Sequence, residues 1–177
     1  MKSFSNCRHR NVLAAVLLLL PVALPQARKP ATAGGSPGGK LDIRILVTAE
    51  PDKVFHPTKG PDGKFSEAQP VKVAPRGKLI AAVVFFKDCK PDAAGNCNVD
   101  LDLQGVDPRG AMFENRKGAE LWRNKPAPHP GLTQIGAAYM KIQIEPRDPA
   151  GTYRILAVAH DRNSRTDARA EASFEVR

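Results

Sequence analysis

Runs of alternating apolar and polar residues, separated by turn residues, recur along the chain from residue 41 onward. In the first run every second position is apolar, at Leu41, Ile43, Ile45 and Val47. Successive side chains of a strand point to opposite faces of a sheet, so this period of two predicts strands with one buried face. The same pattern predicts strands at 99–103, 140–144, 153–159 and 172–176. Asp100 and Asp102 take the polar positions of their run and are expected to face water.

Two segments depart from this alternation. Lys78 to Lys87 is a continuous apolar run rich in Val and Phe, which is typical of a central strand covered on both faces. Glu114 to Trp122 fits one or two helical turns, although no window of the chain keeps an apolar period of 3.6 residues. About seven short strands with turns between them predict an all-β fold, an antiparallel β-sandwich.

A short motif before the strand at 153–159 narrows the class of sandwich. Asp148, Gly151 and Tyr153 resemble the tyrosine corner of immunoglobulin-like domains, in which the tyrosine hydroxyl bonds back to the backbone of the preceding turn. The resemblance implies a bacterial exported domain of the immunoglobulin-like or fibronectin-like kind. Ile155 stands where antibody domains carry a cysteine, so an inter-sheet disulfide of the antibody kind is not expected.

Residues 1–33 have the anatomy of a secretory signal peptide. A basic start is followed by an apolar stretch from Val12 to Leu24 and then by the small-residue site Ala31-Thr32-Ala33. The apolar stretch spans 13 residues, whereas a membrane-spanning helix needs about 20, so no stable membrane span is expected. We expect cleavage after Ala33, with Ala27 as the alternative, and hence a periplasmic or secreted protein.

Residues 34–40 are expected to form a flexible Gly-rich linker, and residues 41–177 to form the domain. The linker contains Gly34-Gly35-Ser36-Pro37-Gly38, which has the G-x-S-x-G spacing of a serine hydrolase. That motif needs a strand before the serine and a helix after it, whereas a strand follows here. The pattern is therefore not interpreted as an active site.

Removal of the leader lowers the net charge. The full sequence carries 27 basic and 18 acidic residues, and five of the basic ones but none of the acidic ones lie in residues 1–33. The mature chain would hold 22 basic and 18 acidic residues, a net charge of +4. No cluster of Lys and Arg longer than a pair remains, so we expect no nucleic-acid partner.

Two cysteines, Cys89 and Cys97, follow the leader and flank a loop that contains Pro and Gly. An even pair of cysteines in an oxidising compartment indicates a disulfide. A zinc site would need more ligands, and a redox pair would stand closer together. We expect a structural disulfide that stabilises the fold by about 2 to 3 kcal/mol.

The long segment from Gly105 to Gly136 holds the candidate ligand-contact residues. We expect it to contain edge strands near 111–114 and 120–123, because so long a connection without strands is uncommon in a compact domain. Phe113 and Trp122 are candidates for an aromatic platform that binds a sugar or a peptide, and their polar partners would be Arg123 and His129. The alternative is that Trp122, the single tryptophan, packs in the core.

Oxygen-bearing side chains gather around the cysteines, at Asp88, Asp92, Asn96, Asn98, Asp100 and Asp102. Calcium favours such ligands, but their spacing does not match a calcium loop, and Asp and Asn are ordinary turn residues. The histidines that follow the leader are too far apart in sequence to form a local ligand pair. We expect no metal, no cofactor and no catalytic residues.

These observations predict an exported, non-enzymatic binding or assembly module of the bacterial cell envelope. Its partner is expected to be a protein that contacts a sheet face, a sheet edge or the segment 105–136. One alternative is a glycan-binding module that uses Trp122. The other is a cell-envelope hydrolase whose site assembles only in the folded protein.

Overall fold

The computed structural model describes residues 40–177, which form seven strands and one short helix. The elements are β1 (Asp42–Thr48), α1 (Pro51–Phe55), β2 (Leu79–Lys87), β3 (Asn96–Val106), β4 (Met112–Pro126), β5 (Gln134–Gln143), β6 (Gly151–Asp161) and β7 (Thr166–Val176). Each run predicted as a strand lies within or overlaps one of these strands. The predicted leader and the linker up to residue 39 lie outside the described residues.

The strands form two antiparallel sheets, in the orders β1-β2-β5 and β4-β3-β6-β7. This arrangement is an immunoglobulin-like β-sandwich in which β1 to β7 correspond to strands A, B, C, C′, E, F and G. The all-β prediction is therefore confirmed. The tyrosine corner is present as well, because the Tyr153 hydroxyl donates a hydrogen bond of 3.0 Å to the carbonyl oxygen of Pro149.

The core lies between the sheets and is built from the inward side chains of both, with Leu121 as the one buried residue of β4. The inward positions predicted for β5, β6 and β7 are buried, except that Ala172 is only half-buried. Tyr153 and Phe174 stack within this core with ring centroids 5.3 Å apart. Burial raises the pKa of the Tyr153 phenol, so the hydroxyl stays protonated and remains a donor.

Strand β2 is covered on both faces, as its continuous apolar run predicted. Its residues Ala82, Val84 and Phe86 face the other sheet. Ala81 and Val83 face outward, where Val54 of α1 packs against them. The connection between β1 and β2 supplies this outer cover, and its five-residue helix, which begins at Pro51 with Asp52 in its first turn, was not predicted.

Two expectations are wrong. Glu114 to Trp122 forms no helical turn, because these residues belong to β4, which pairs with β3 as one continuous edge strand rather than two short ones. Asp100 does not face water: it is 8% exposed, because two arginine side chains cover it on the outer face of the sheet.

Candidate functional site

Strand β4 is an edge strand of the four-stranded sheet, and it lies within the segment 105–136 that the sequence singled out. An edge strand presents unpaired backbone N–H and C=O groups, which can pair with another chain. Natural proteins protect such edges with charges, bulges, prolines or covering segments. The protection of each edge strand therefore indicates where a partner strand can add.

The side of the sandwich formed by β1 and β7 is protected. The segment around Val71 to Ala74 runs along it: the Val71 amide donates to the Val47 carbonyl at 2.8 Å, and the Ala74 amide donates to the Glu175 carbonyl at 2.8 Å. The rest of β7 carries exposed charged side chains between its buried ones, at Asp167, Arg169 and Glu171.

On the other side of the sandwich, the second half of β4 is closed against β5. A Cβ added to Gly136 would stand 2.1 Å from a methyl carbon of Leu121 and 3.0 Å from the Val84 carbonyl oxygen. Only glycine therefore lets β4 approach β5 so closely. Arg116 also spans the two strands, since its Nη1 donates to the Tyr139 carbonyl at 3.3 Å.

Bulges interrupt the pairing of β4 with β3 at two places near its start. The pairing shifts between Leu101 and Leu103, where Gly118 adopts a φ of 62° and its amide donates to Asp102 Oδ1 at 2.8 Å. The pairing shifts again between Gly105 and Val106. Between the two bulges, β4 is regular over the three residues 114–116.

The start of β4 carries the apolar surface of this edge. Met112 is 57% exposed and Phe113 is 42% exposed. The Phe113 ring lies over Gly105, where any Cβ would clash with it, and meets the edge of the Tyr153 ring at 5.8 Å between centroids. Beside it a cleft of about 320 Å³ opens between the two sheets, lined also by Glu114 of β4, Ile142 of β5 and Ile144 just beyond β5.

Trp122 lies at the opposite end of β4 and is half-buried. Its ring packs at 5.3 Å from Phe86, and its Nε1 donates to the Pro126 carbonyl at 3.0 Å. The Lys125 ammonium stands 5.4 Å from the ring centroid. The indole is thus fixed by the core on one side and by its own strand on the other.

The predicted platform residues do not come together. Trp122 pairs with Val99, while Glu114, next to Phe113, pairs with Gly105. Val99 and Gly105 are six residue steps apart along β3, so the two ends of β4 that carry the aromatic residues lie about 20 Å apart. His129 lies beyond the end of β4 in the loop to β5, where it is exposed.

Arg123 lies on the outer face of the sheet and forms a salt bridge with Asp100. Its Nε donates to Asp100 Oδ1 at 3.1 Å, and Arg162 Nε donates to Oδ2 at 2.8 Å. Burial alone would raise the pKa of Asp100, but the hydrogen bonds from the two arginines outweigh it and the net pKa is lowered. Arg123 thus has a structural partner within the domain.

The predicted disulfide between Cys89 and Cys97 is present. It lies at the end of the sandwich where three loops are bonded together. Asp161 Oδ2 accepts from the Lys90 amide at 2.8 Å, and Asp88 Oδ1 accepts from the Gly131 amide at 2.7 Å. Asn163 Nδ2 donates to the carbonyls of Lys90 and Asn96 at 2.9 and 3.0 Å.

The acidic groups near the disulfide also contact neighbouring amide or histidine groups within the domain. Asp92 Oδ1 accepts from the amides of Ala94 and Asn96, which closes its own turn. Asp102 and Asp167 flank His160, at 3.4 Å from its Nε2 and 2.8 Å from its Nδ1. Within residues 40–177, no group of three or more His, Cys, Asp or Glu side chains is arranged to hold a metal ion.

The sequence did not single out Met112, Glu114 and Arg116, which stand with Phe113 at the free part of the edge. Alternating charges at Glu114 and Arg116 beside an apolar pair were the available signal. This signal indicates a site only when it is known that the two bulges leave residues 114–116 as one regular segment, with both charged residues on the same side.

No protein-family model matches the chain, and no curated protein matches it. Among solved structures, it is similar to a CARDB domain from Pyrococcus furiosus, with 13% identity, a TM-score of 0.41 and coverage of 79% of this chain and 90% of that one. It is also similar to a Niemann-Pick type C2 protein from the Japanese carpenter ant, with 10% identity, a TM-score of 0.41 and coverage of 79% and 95%. Because both TM-scores lie below 0.5, the assignment of the fold rests on the strand order and the tyrosine corner.

No helix in the part of the chain that the structure describes is long and apolar enough to cross a bilayer.

Proposed function

We propose that this chain is an exported, non-enzymatic protein-binding or assembly module of the bacterial cell envelope, periplasmic or secreted, and that it binds a polypeptide at the start of β4. The observation that carries the proposal is the contrast between the edges of the sandwich. Segment 71–74 protects the ends of β1 and β7, charged side chains protect the rest of β7, and the contact of Leu121 with Gly136 closes the second half of β4. The start of β4 instead exposes Met112 and Phe113.

The chemistry of an edge strand selects the class of partner. Unpaired backbone donors and acceptors in a row are matched by the backbone of another extended chain, whereas sugars lack that repeat. The apolar pair at 112–113 supplies the side-chain contacts that a strand added at this edge would cover. A protein partner is thus favoured over a glycan.

Export is supported by two features of the sequence and the structure. The leader pattern in residues 1–33 is that of a signal peptide. The disulfide between Cys89 and Cys97 closes an exposed loop, and disulfides persist in oxidising compartments.

Site-specific photocrosslinking in the producing cells tests the proposal. A photoreactive side chain replaces Met112 in one variant and Leu132, which is 51% exposed at the other end of the sandwich, in the control. We expect a discrete protein adduct from position 112 that is absent from position 132 and is lost when Phe113→Lys is added. Equal adducts from both positions, or none from position 112, would contradict binding at this edge.

The glycan and hydrolase alternatives predict other outcomes. A glycan module would be retained on envelope polysaccharide and would lose that retention with Trp122→Ala. A hydrolase would release products from envelope polymers, and this release would be unaffected by Met112→Lys. Either result would contradict the proposal that this chain acts by binding a polypeptide at β4.

A further inference from the structure

We infer that the polypeptide that pairs with β4 is β4 of a second copy of this chain, in an antiparallel arrangement about a twofold axis at Asn115. This inference rests on the proposed function, since it names the partner for the same edge. Symmetric dimers of this kind join two identical surfaces, so the edge must be complementary to itself. The regular stretch of β4 meets that requirement.

Charge complementarity carries the argument. In an antiparallel pair centred on Asn115, Glu114 lies opposite Arg116 of the second copy, and Arg116 lies opposite its Glu114. Opposite charges placed directly across an antiparallel pair stabilise it, and like charges destabilise it. Both side chains lie on the cleft side of the strand, since Glu114 lines the cleft and Arg116 reaches the Tyr139 carbonyl.

Neighbouring registers lack this match. A pair centred on Glu114 would set two glutamates against each other, and a pair centred on Arg116 would set two arginines against each other. Arg116 bonds to the Tyr139 carbonyl through Nη1, which leaves Nη2 to face a glutamate of the second copy. Within one copy Glu114 and Arg116 stand 3.9 Å apart, and their side chains are 35% and 45% exposed.

The apolar pair lies next to the charged pair. Met112 and Phe113 are exposed directly before the regular stretch 114–116, so a second copy seated on that stretch covers part of their surface. The two four-stranded sheets join into one of eight strands in this arrangement.

The contact is small, because bulges limit the regular pairing to three residues of each strand. Small interfaces give weak, transient association. We therefore expect a dimer that forms with a dissociation constant of about 10 µM to 1 mM.

Sedimentation of the mature, disulfide-bonded protein over that concentration range tests the inference. Glu114→Arg and Arg116→Glu each place like charges at both cross-strand pairs, and each should weaken association by about tenfold or more. An equimolar mixture of the two variants should dimerise again, because each arginine then faces a glutamate. The double variant Glu114→Arg/Arg116→Glu should associate as the unmodified protein does.

A matched pair elsewhere provides the control. Arg154 and Glu171 also stand 3.9 Å apart, with half-exposed side chains, on the outer face of the same sheet. Arg154→Glu and Glu171→Arg should leave association unchanged. Thermal melts of all variants establish that each is folded.

The inference is overturned if the unmodified protein stays monomeric throughout this range, or if the mixture of charge-reversed variants does not recover association. A monomer that still yields a crosslink from position 112 to a different protein would refute the second copy while leaving the proposed function intact. If the protein stays monomeric and position 112 also yields no crosslink to another protein, both proposals are refuted.

Discussion

At Asp100, one buried carboxylate holds Arg123 of β4 and Arg162, which follows β6. The three side chains tie the edge strand to the middle of the sheet on its outer face. A buried carboxylate without its partners costs free energy, whereas a fully bonded one is tolerated. The residue that the alternating pattern assigned to water is thus part of the support of β4.

Asp100→Asn should lower the free energy of unfolding by about 1 to 3 kcal/mol, because it weakens the bonds to both arginines. Since the folded-state pKa of Asp100 is lowered, its contribution is fully present above the unfolded pKa of about 3.9 and is lost progressively as the pH falls from there through the folded pKa. Urea unfolding of both proteins at pH 7 and pH 3 measures this difference. Asp42→Asn, at an exposed ion pair, is the control and should change stability little.

Tyr153→Phe removes one hydroxyl from the tyrosine corner and leaves the packing of the ring unchanged. The loss of the bond to Pro149 should cost about 1 kcal/mol and lower the melting temperature by about 3 to 5 °C. Tyr139→Phe is the matched control, because its hydroxyl makes no hydrogen bond to a residue in the described part of the chain. Equal melting temperatures for the two variants would argue against a stabilising corner.

At the scale of elements, the contact between β4 and β5 decides which part of the edge remains open. Leu121 fills the space over Gly136 and closes the second half of β4 against β5. Beside Phe113, at the start of β4, a cleft remains between the two sheets, and Arg116 reaches across to the Tyr139 carbonyl. A single glycine on β5 therefore fixes where a partner strand can approach.

Gly136→Ala should destabilise the domain by about 1 to 3 kcal/mol, because the added methyl group meets Leu121 and the Val84 carbonyl. Leu121→Ala should lose about 2 to 5 kcal/mol through the cavity it leaves. In the double variant the two losses should be less than additive, since the smaller side chain makes room for the methyl group. Denaturant unfolding of the four proteins measures the coupling, and strict additivity would contradict the contact.

The sequence predicted the buried strands well and β4 poorly, for a physical reason. Strands with one face in the core must alternate, and β6 does so over its whole length. An edge strand with bulges changes face at each bulge, so β4 shows no constant period. The candidate site was predicted only in part: Phe113 was found by its type, whereas the register of Glu114 and Arg116 depends on bulges that the sequence does not mark.

On the scale of the whole molecule, the two ends of the sandwich differ. One end holds the disulfide and three loops bonded together, and β1 begins there at Asp42. The other end holds the start of β4, the tyrosine corner and the end of β7, because Val176 pairs with Gly151. The described chain thus enters at one end and leaves at the other.

Processing of the leader is a prediction at this scale. If residues 1–33 are removed on export, the protein recovered from the periplasm or the medium should begin at Gly34 and should contain no free thiol. Intact-mass measurement before and after reduction and alkylation tests both points. A full-length chain with reactive cysteines in the cytosol would contradict export.

The positions of the two ends of the described segment, residues 40 and 177, matter for anyone who attaches this domain to a bead, a dye or a fusion partner. Arg177 follows β7 at the same end of the sandwich as the start of β4, although β7 and β4 are opposite edges of the four-stranded sheet, so a label there shares that end with whatever docks on β4. An attachment ahead of Lys40 instead holds the domain by its far end and leaves the edge facing solution, so a bait immobilised that way should retain its capture capacity.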